Sequence, residues 1–505
     1  MRGGGWLFRF DRHAELPPLA WVATIAGGTV AVNCGLSVRC ADDGFFEGTW
    51  VGEARLGAVV ESTSVFGSGI VNAAGGLFVV PPSHTLEGLY VWRGEGEVVI
   101  SNSLVGLLEA SGHALDPDVA YPPLFVASVD GPARPLLKMP LLAGELTIAH
   151  YENLRVHGDD LEVERRPRER PFSSFDDYVV RINAALASAI ANAPGYTPVV
   201  AASSGFDSIA VAAIARGHGA RRMVTIASGK EVGRTEIADD SGESAGRALG
   251  LEVELFPRLG YMASEHVPEA EFLATGMSGE EVVMAEMERA LRRSLLLTGH
   301  YGGLMWRKGK PASRDLWRGD MSGTSLTEFR LRVDCIHVPL PVFGRTEQPS
   351  LMPIARAAEM RPFSIGGGYD KPVARRLSEE AGVPRDAFGI RKRSASGTLH
   401  SDGPSALAPQ TRASLERFAA SEGRPIAFRR RRRIRRRERF LIKLAEAGRV
   451  GRLVEPLKER RYSLTHFEPE FGTLLLRWAV EVIRTRYRAV ARRRAASTTS
   501  ARPPS

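Results

Sequence analysis

The sequence predicts two structural units, a β-rich unit followed by an α/β unit built on a parallel sheet. Residues 1–161 contain short apolar runs separated by glycine turns, as at residues 76–80 and 88–92, and this pattern is typical of short strands. Beyond residue 171, apolar strands alternate with helical patterns, which indicates a parallel sheet. The length of 505 residues is too great for one ordinary domain and agrees with this division.

A charged stretch with several prolines separates the two units. Residues 162–171 have the sequence EVERRPRERP, carry almost no apolar side chains and predict a linker. The α/β unit is then expected over residues 172–494. A disordered tail is expected over residues 495–505, which are rich in Ala, Ser, Thr and Pro.

The α/β unit is expected to begin with a helix and to continue through alternating strands and helices. Apolar residues at steps of four predict the first helix over residues 175–193. Strands are predicted at residues 197–202, 223–227, 251–256 and 294–298, and further helices at residues 208–216 and 236–249. This alternation predicts that the strands pair in parallel.

Composition and charge exclude several classes of protein. Hydrophobic residues make up 44% and charged residues 25% of the chain, which excludes a largely disordered or fibrous protein. The net charge is +9, but residues 429–439 alone hold nine arginines and one glutamate. The basic character is therefore local, and nucleic-acid binding is not implied. The arginine run predicts a solvated or domain-packing helix, with an RNA contact as the less favoured alternative.

The sequence predicts neither a membrane span nor an export signal. The most apolar stretch, residues 16–36, is interrupted by prolines, glycines and an asparagine. The cysteines Cys34, Cys40 and Cys335 have neither the number nor the spacing of a disulfide framework or a zinc site. We therefore expect a reducing, cytoplasmic compartment.

The strongest chemical signal is the segment ASSGFDS at residues 202–208, between a predicted strand and a predicted helix. Small residues let backbone N–H groups approach an oxyanion in front of a helix N-terminus, and serine hydroxyls add donors. Asp207 would repel a bare phosphate but suits a magnesium ion held between its carboxylate and phosphates. The alternative is a Ser/Gly turn in which Asp207 is an ordinary helix N-cap.

Residues 203–208 resemble the S-G-G-x-D-S loop of the ATP-pyrophosphatase group, specifically the asparagine synthetase type, with Ser204 in place of the first glycine. Other segments resemble that family in the expected order, at residues 236–251, 298–299, 328–331, 369–392 and 474–487. Residues 88–112 resemble part of the family's N-terminal glutaminase domain. The resemblance implies a Rossmann-like ATP-pyrophosphatase unit preceded by a degenerate Ntn-type glutaminase unit.

The resemblance implies ATP and Mg²⁺ as cofactors, with Asp207 as the metal ligand. It assigns nucleotide binding to residues after the predicted strands, namely Ala202, Ser203, Ser204, Gly205, Asp207, Ser208, Ile226, Thr298 and Gly299. Lys392 is expected to stabilise charge on the leaving pyrophosphate, and the alternative is an ordinary surface lysine. Glu328 is a catalytic candidate in the segment resembling the family's E-x-R, although a structural pair with Arg330 is equally compatible.

Two departures from the family pattern bear on activity. Arg2 stands where family glutaminases carry the cysteine nucleophile, so glutamine hydrolysis is not expected. Gly303 replaces the family's aspartate and Leu304 the following glutamate, and a missing metal ligand costs transition-state stabilisation. His300 stands at an earlier glutamate, where it either replaces a base or has no chemical role. Three acidic residues are candidates for the missing carboxylate, Glu236, Asp239 and Asp240.

The function expected from the resemblance is an ATP-dependent amide-forming ligase without glutamine hydrolysis, similar to β-lactam synthetase and the lasso-peptide cyclases. Its substrates would be a small-molecule or peptide carboxylate and an amine, whose identities the sequence does not give. Gly303 and Leu304 favour an alternative, a non-catalytic relative that acts as a partner subunit or a homodimer. A tRNA-modifying or RNA-binding ATP-pyrophosphatase is less favoured.

Overall fold

The structure is a computed structural model that describes residues 6–126, 135–231, 237–308, 321–366, 369–390, 393–394, 399, 403–426, 428 and 469–491. Several predictions fall outside these residues, namely those for Glu236, Lys392, the arginine run at 429–439 and the tail at 495–505. Within the described ranges, no helix is both long enough and apolar enough to cross a membrane.

The front unit consists of two sheets that pack face to face. Its strands are β1 (Leu7–Arg12), β2 (Trp21–Ala26), β3 (Thr29–Cys34), β4 (Arg39–Ala41), β5 (Gly44–Trp50), β6 (Val65–Ala73), β7 (Gly76–Val80), β8 (Leu89–Arg93), β9 (Val98–Ser101), β10 (Leu136–Pro140), β11 (Glu145–Ala149), β12 (Asn153–His157) and β13 (Asp160–Glu164). The seven-stranded sheet has the order β1-β3-β2-β9-β8-β11-β10, and the six-stranded sheet β13-β12-β7-β6-β5-β4. Side chains of both sheets, including Trp21 and Phe45, form one core between them. The predicted β-rich character of this unit is confirmed.

The second of these sheets extends into the segment predicted as a linker. β13 pairs with β12 from Asn153↔Glu164 to His157↔Asp160, so residues 162–164 belong to the sheet and not to a linker. Arg166 is also buried, and its guanidinium donates to the carbonyls of Tyr151 and Pro81, at 2.7 Å each. The charged composition of this stretch thus reflects an exposed edge strand and one buried arginine.

The second unit is built on a five-stranded sheet in which every pair of neighbours is parallel. Its strands are β14 (Thr197–Ala201), β15 (Arg222–Ile226), β18 (Glu252–Phe256), β19 (Ser294–Thr298) and β20 (Ile336–Pro339), in the order β18-β15-β14-β19-β20. The predicted parallel sheet and its four predicted strands are confirmed, while β20 was not predicted. The strands β16 (Ser228–Glu231), β17 (Ile237–Asp239) and β21 (Arg393–Ser394) form a separate three-stranded sheet.

The described helices have the bounds α1 Leu104–Ser111, α2 Tyr121–Val126, α3 Phe175–Ala191, α4 Phe206–Gly217, α5 Glu243–Ala248, α6 Glu269–Leu273, α7 Glu288–Leu291, α8 Gly302–Met305, α9 Thr327–Val333, α10 Gln348–Arg356, α11 Pro372–Glu380, α12 Pro409–Ser421 and α13 Pro469–Arg484. The helices predicted at 175–193 and 208–216 are confirmed as α3 and α4. The helix predicted at 236–249 is wrong in its first half, where β17 precedes α5. The Asp239 carboxylate accepts a hydrogen bond from the Ser241 N–H at 2.8 Å, and such local bonds favour a turn over a helix.

Candidate functional site

The loops after β14 and β19 meet at one edge of the parallel sheet. The two strands are paired from Thr197↔Ser294 to Ala201↔Thr298, and the sequence order of the strands reverses between them. Ligands of such sheets bind beyond the carboxyl ends of the strands at the point of reversal. A Cβ added to Gly299 would lie 2.6 Å from the main-chain carbon of Asp207, so the two loops can touch only because residue 299 is glycine.

The loop at residues 203–208 is closed by its own hydrogen bonds and leads directly into α4. The Ser208 hydroxyl lies 3.1 Å from the Ser203 N–H that donates to it and 3.0 Å from the Ser203 carbonyl. The Gly205 N–H donates to Ser203 Oγ at 3.3 Å, and the Ser204 N–H to the Asp240 carbonyl at 2.9 Å. The N–H groups of Ser203, Ser204 and Gly205 therefore have acceptors within the protein and are not free to bind an anion in this conformation. The serine hydroxyls remain partly exposed.

Asp207 lies in the first turn of α4, and its carboxylate faces Lys371. Lys371 Nζ lies 2.5 Å from Asp207 Oδ2. Among the described residues, the other carboxylate oxygen, Oδ1, is buried without a hydrogen-bond partner. A Cβ added to Gly302 would lie 2.7 Å from Oδ1, so the carboxylate fits only beside a glycine. The N-cap of α4 is Gly205 and has no side-chain bond, which excludes the alternative role of Asp207 as the N-cap.

Lys371 and Tyr369 join this site, although the sequence analysis did not assign them to it. The Tyr369 ring packs on Phe206 with 4.9 Å between ring centroids, and Lys371 Nζ lies 5.9 Å from the Tyr369 ring centroid. Lys371 immediately precedes Pro372, the first residue of α11. The only sequence signal for them was their place at the start of the family-like segment 369–392.

Gly303 and Leu304 differ in their exposure. Gly303 is exposed, and a Cβ added to it would meet only Lys371 Nζ, at 3.9 Å. Leu304 is buried in α8. A side chain at position 303 would therefore face the Asp207–Lys371 pair, and in this chain that position supplies no carboxylate.

The metal prediction depends on Asp207 alone. In the part of the chain that the structure describes, no three His, Cys, Asp or Glu residues are grouped so that they could hold a metal ion. A single carboxylate with an unpartnered oxygen suits Mg²⁺ when phosphates and water supply the other ligands. Magnesium binding at Asp207 therefore stays a prediction, in which phosphates and water would supply the remaining ligands.

A polar chain runs from the loop after β19 into the interior. Thr298 Oγ1 lies 2.9 Å from His300 Nδ1 and 2.9 Å from His337 Nε2, and His337 Nδ1 lies 3.8 Å from Glu87 Oε1 in the front unit. Thr298 and His337 are buried, whereas His300 is partly exposed. The structure thus places His300 beside the predicted nucleotide site, bonded to Thr298.

Beyond His337, this series of polar side chains leads to a buried charge cluster that joins the two units. The Arg330 guanidinium donates to Glu47 at 2.9 and 3.0 Å and pairs with Glu87, and all three side chains are buried. Burial raises the pKa of Glu87 to about 7, against the opposing effect of the Arg330 charge. This cluster, with two carboxylates on one guanidinium, was not predicted from the sequence.

Glu328 lies at the junction of the units and not at the nucleotide loop. Its carboxylate accepts hydrogen bonds from Ser103 at 2.6 Å and Tyr487 at 2.8 Å, and the side chain is buried. Burial also raises its pKa. The catalytic role predicted for Glu328 does not fit these contacts, because the carboxylate is enclosed by protein. The alternative pair with Arg330 is also wrong, since Arg330 binds the cluster described above.

Two further residues complete the edge of the sheet. Ile226 is the last residue of β15 and is buried, so it lies at the same edge as the loop. Tyr301 has a left-handed backbone with φ of 71°, and its hydroxyl accepts a hydrogen bond from the Thr85 N–H at 3.0 Å. The loop after β19 is thereby tied to the front unit.

Comparisons with known proteins found no match from which a function could be assigned. No protein-family model matches the chain, and no curated protein matches it.

Proposed function

We propose that this chain is an ATP-dependent ligase of the asparagine synthetase type, which adenylates a carboxylate and then joins it to an amine. The observation that carries the proposal is the contact between the loop at residues 203–208 and Gly299 at the carboxyl edge of the parallel sheet. The strand order, in which the first and fourth strands of the unit are neighbours, supports the proposal of a Rossmann-like sheet, whose ligand crevice would lie at this point.

In this proposal the chain's own groups bind and orient the triphosphate. The Ser203 hydroxyl donates to a phosphate oxygen, and the positive end of α4 faces the phosphates. The hydroxyls of Ser204 and Ser208 already donate to Asp240 Oδ1 at 2.7 Å and to the Ser203 carbonyl at 3.0 Å, so their role is to hold the loop in shape. Lys371, with the predicted Lys392, stabilises negative charge on the leaving pyrophosphate. Asp207 would hold magnesium, which when bound would supply positive charge to neutralise the phosphates.

The nucleoside is expected to lie along the ends of β15 and β19, beside Ile226 and Gly299. Thr298 is buried, and its hydroxyl is hydrogen-bonded to the rings of His300 and His337. Its role in the proposal is therefore to position the His300 ring. His300 is then the group at this edge that could take a proton from the attacking amine.

In this proposal the front unit is a degenerate, Ntn-type glutaminase-like domain. The packing of two sheets face to face supports this assignment, and in this proposal the unit does not hydrolyse glutamine. The amine would therefore come from the second substrate. Glutamate release from glutamine should remain at background, and release that a Cys34→Ala or Cys40→Ala change abolishes would contradict this part of the proposal.

The second candidate is a non-catalytic relative that retains the fold. Two observations favour it, the absence of a carboxylate at Gly303 and the ion pair between Asp207 and Lys371, which already neutralises the proposed metal ligand. Such a protein would bind a partner or a nucleotide without turnover.

Calorimetry with magnesium and ATP tests the nucleotide site. We expect binding that Asp207→Ala weakens by at least about tenfold, because a charged ligand to the bound complex is lost. The matched control is Asp176→Ala, since Asp176 lies in the first turn of α3 as Asp207 lies in that of α4. Absence of binding by the native chain, or equal weakening by both variants, would overturn the proposal.

Pyrophosphate exchange into ATP, with a panel of amino-acid and peptide carboxylates, separates the two candidates. An active ligase shows exchange that Lys392→Ala removes. If the native chain is silent with every carboxylate and Gly303→Asp shows exchange, the second candidate is correct.

A further inference from the structure

Two cysteine thiols face each other between the two sheets of the front unit. Cys34 ends β3 in one sheet and Cys40 lies in β4 of the other, and their Sγ atoms are 3.9 Å apart. Both are free thiols, with Cys34 buried and Cys40 half-buried. A disulfide requires about 2.05 Å between the sulfur atoms, so a movement of about 2 Å would join them.

The surroundings give the two thiols different reactivity. The hydrogen bond from Cys34 lowers the pKa of Cys40, and the positive charge of Arg12 lowers it further against the effect of burial. The same hydrogen bond, together with burial, raises the pKa of Cys34. Arg12 is held at this place because its guanidinium donates to the carbonyls of Leu36 and Val38, in the loop between the cysteines. Cys40 is thus the more nucleophilic and the more accessible sulfur.

We propose that Cys34 and Cys40 form a reversible redox pair, in which a hydroperoxide oxidises Cys40 and Cys34 then closes an intramolecular disulfide. The Cys40 thiolate attacks the terminal oxygen of the hydroperoxide, so that an S–O bond forms, the O–O bond breaks and the alkoxide leaves as the alcohol after taking a proton. The Cys34 sulfur attacks the Cys40 sulfenic acid, an S–S bond forms, and hydroxide leaves with the Cys34 proton as water. A dithiol such as dithiothreitol reduces the disulfide by thiol–disulfide exchange, which restores both thiols and oxidises the reagent to its own disulfide.

The loop that joins the two cysteines also contacts the α/β unit. The Ser37 hydroxyl donates to Asp334 Oδ2 at 2.9 Å, and Tyr196, just before β14, donates to Asp334 Oδ1 at 2.6 Å. Closing the disulfide would pull on this loop, so the oxidation state of the pair acts on the junction between the units.

The third cysteine provides an internal control. Cys335 is buried immediately before β20, and burial raises its pKa to about 12, so it has little thiolate and little access to an oxidant. In the native protein it should remain reduced while the pair is oxidised.

The test treats the folded full-length chain with hydrogen peroxide, blocks remaining thiols with an alkylating reagent and maps the cysteines by mass spectrometry. We expect loss of the two free thiols of Cys34 and Cys40, a cross-linked peptide that lacks two hydrogen atoms, recovery of both thiols with dithiothreitol, and an unchanged Cys335. Cys34→Ala should trap sulfenic acid on Cys40, detectable with a dimedone probe, and Cys335→Ser should behave as the native chain.

Three results would overturn the proposal. Cys34 and Cys40 stay reduced under conditions that oxidise a free thiol peptide, or Cys335 is oxidised as fast as Cys40, or the peroxide produces only overoxidised Cys40 or disulfides between chains. Because the native chain and Cys335→Ser suffice to decide, a folding failure of Cys34→Ala does not affect the outcome.

Discussion

Lys371 Nζ lies 2.5 Å from Asp207 Oδ2, so the residue before α11 forms an ion pair with the first turn of α4. Both side chains are largely covered, at 11% and 25% exposure, and the pair is therefore screened less than a surface salt bridge. If the chain is the proposed ligase, this pair places Lys371 beside Asp207 at the phosphate site. Both side chains are then expected to contribute to nucleotide binding.

Replacement of Lys371 by Met should weaken binding of magnesium–ATP by about tenfold or more, since a hydrogen bond to a charged group contributes about 1.5–3 kcal/mol. Calorimetry measures the effect. Lys138→Met is the control, because Lys138 is exposed and paired with Glu145 in the front unit. Equal affinities of Lys371→Met and the native chain would contradict the assignment.

Gly302 and Gly303 are adjacent glycines with different surroundings, so the same substitution can be compared at both positions. A Cβ at 302 would lie 2.5 Å from Asp207 Cγ, whereas one at 303 meets only the end of Lys371 at 3.9 Å. Gly302→Ala should therefore displace the Asp207 carboxylate, lower the free energy of unfolding by about 1–3 kcal/mol and remove ATP binding. Gly303→Ala should change stability by less than about 0.5 kcal/mol. Urea unfolding and calorimetry on both variants check this, and similar effects of the two substitutions would refute the predicted contact.

Tyr487→Phe tests the structural position of Glu328. The substitution removes one of the two donors to a buried carboxylate, which should lower the free energy of unfolding by about 1–3 kcal/mol. Affinity for ATP, measured under conditions where the variant is folded, should not change. A loss of nucleotide affinity at unchanged stability would instead support a role for Glu328 in the candidate nucleotide site.

The buried Glu87 should make stability depend on pH in an unusual direction for a carboxyl group. Its pKa is about 7 in the folded protein and about 4.3 in an unfolded chain, so between these values the folded state holds more protons. The free energy of unfolding should therefore fall as the pH rises through this range. Urea unfolding from about pH 5 to about pH 8 should show a smaller decline for Glu87→Gln than for the native chain. Glu95→Gln, at an exposed position of the same unit, should leave the decline as it is.

Local patterns predicted four of the five strands of the parallel sheet and the helices α3 and α4, because such patterns depend on neighbours in sequence. The strand at 294–298 is reproduced residue for residue. β20 was missed because its four residues, Ile336–Pro339, contain His337 and are too few for a periodic pattern. The order of the strands also needed the structure, since it depends on pairing between distant segments.

The site was predicted in part, and the errors follow from contacts over long sequence separations. The loop containing Asp207 was found from its residues, but its partner Lys371 is 164 residues away. Glu328 was misassigned because its two donors, Ser103 and Tyr487, are 225 and 159 residues away. The sequence around a polar residue does not show whether partners from distant segments bury it and satisfy its hydrogen bonds.

The hydrogen bond from the Thr85 N–H to the Tyr301 hydroxyl has a consequence for inheritance of the two units. The main chain of the front unit holds a tyrosine that lies between His300 and Gly302 on the other unit. Deletion of the front unit would remove this support from the loop after β19, even if the front unit has no reaction of its own. Natural selection on the α/β unit is then sufficient to preserve both units together.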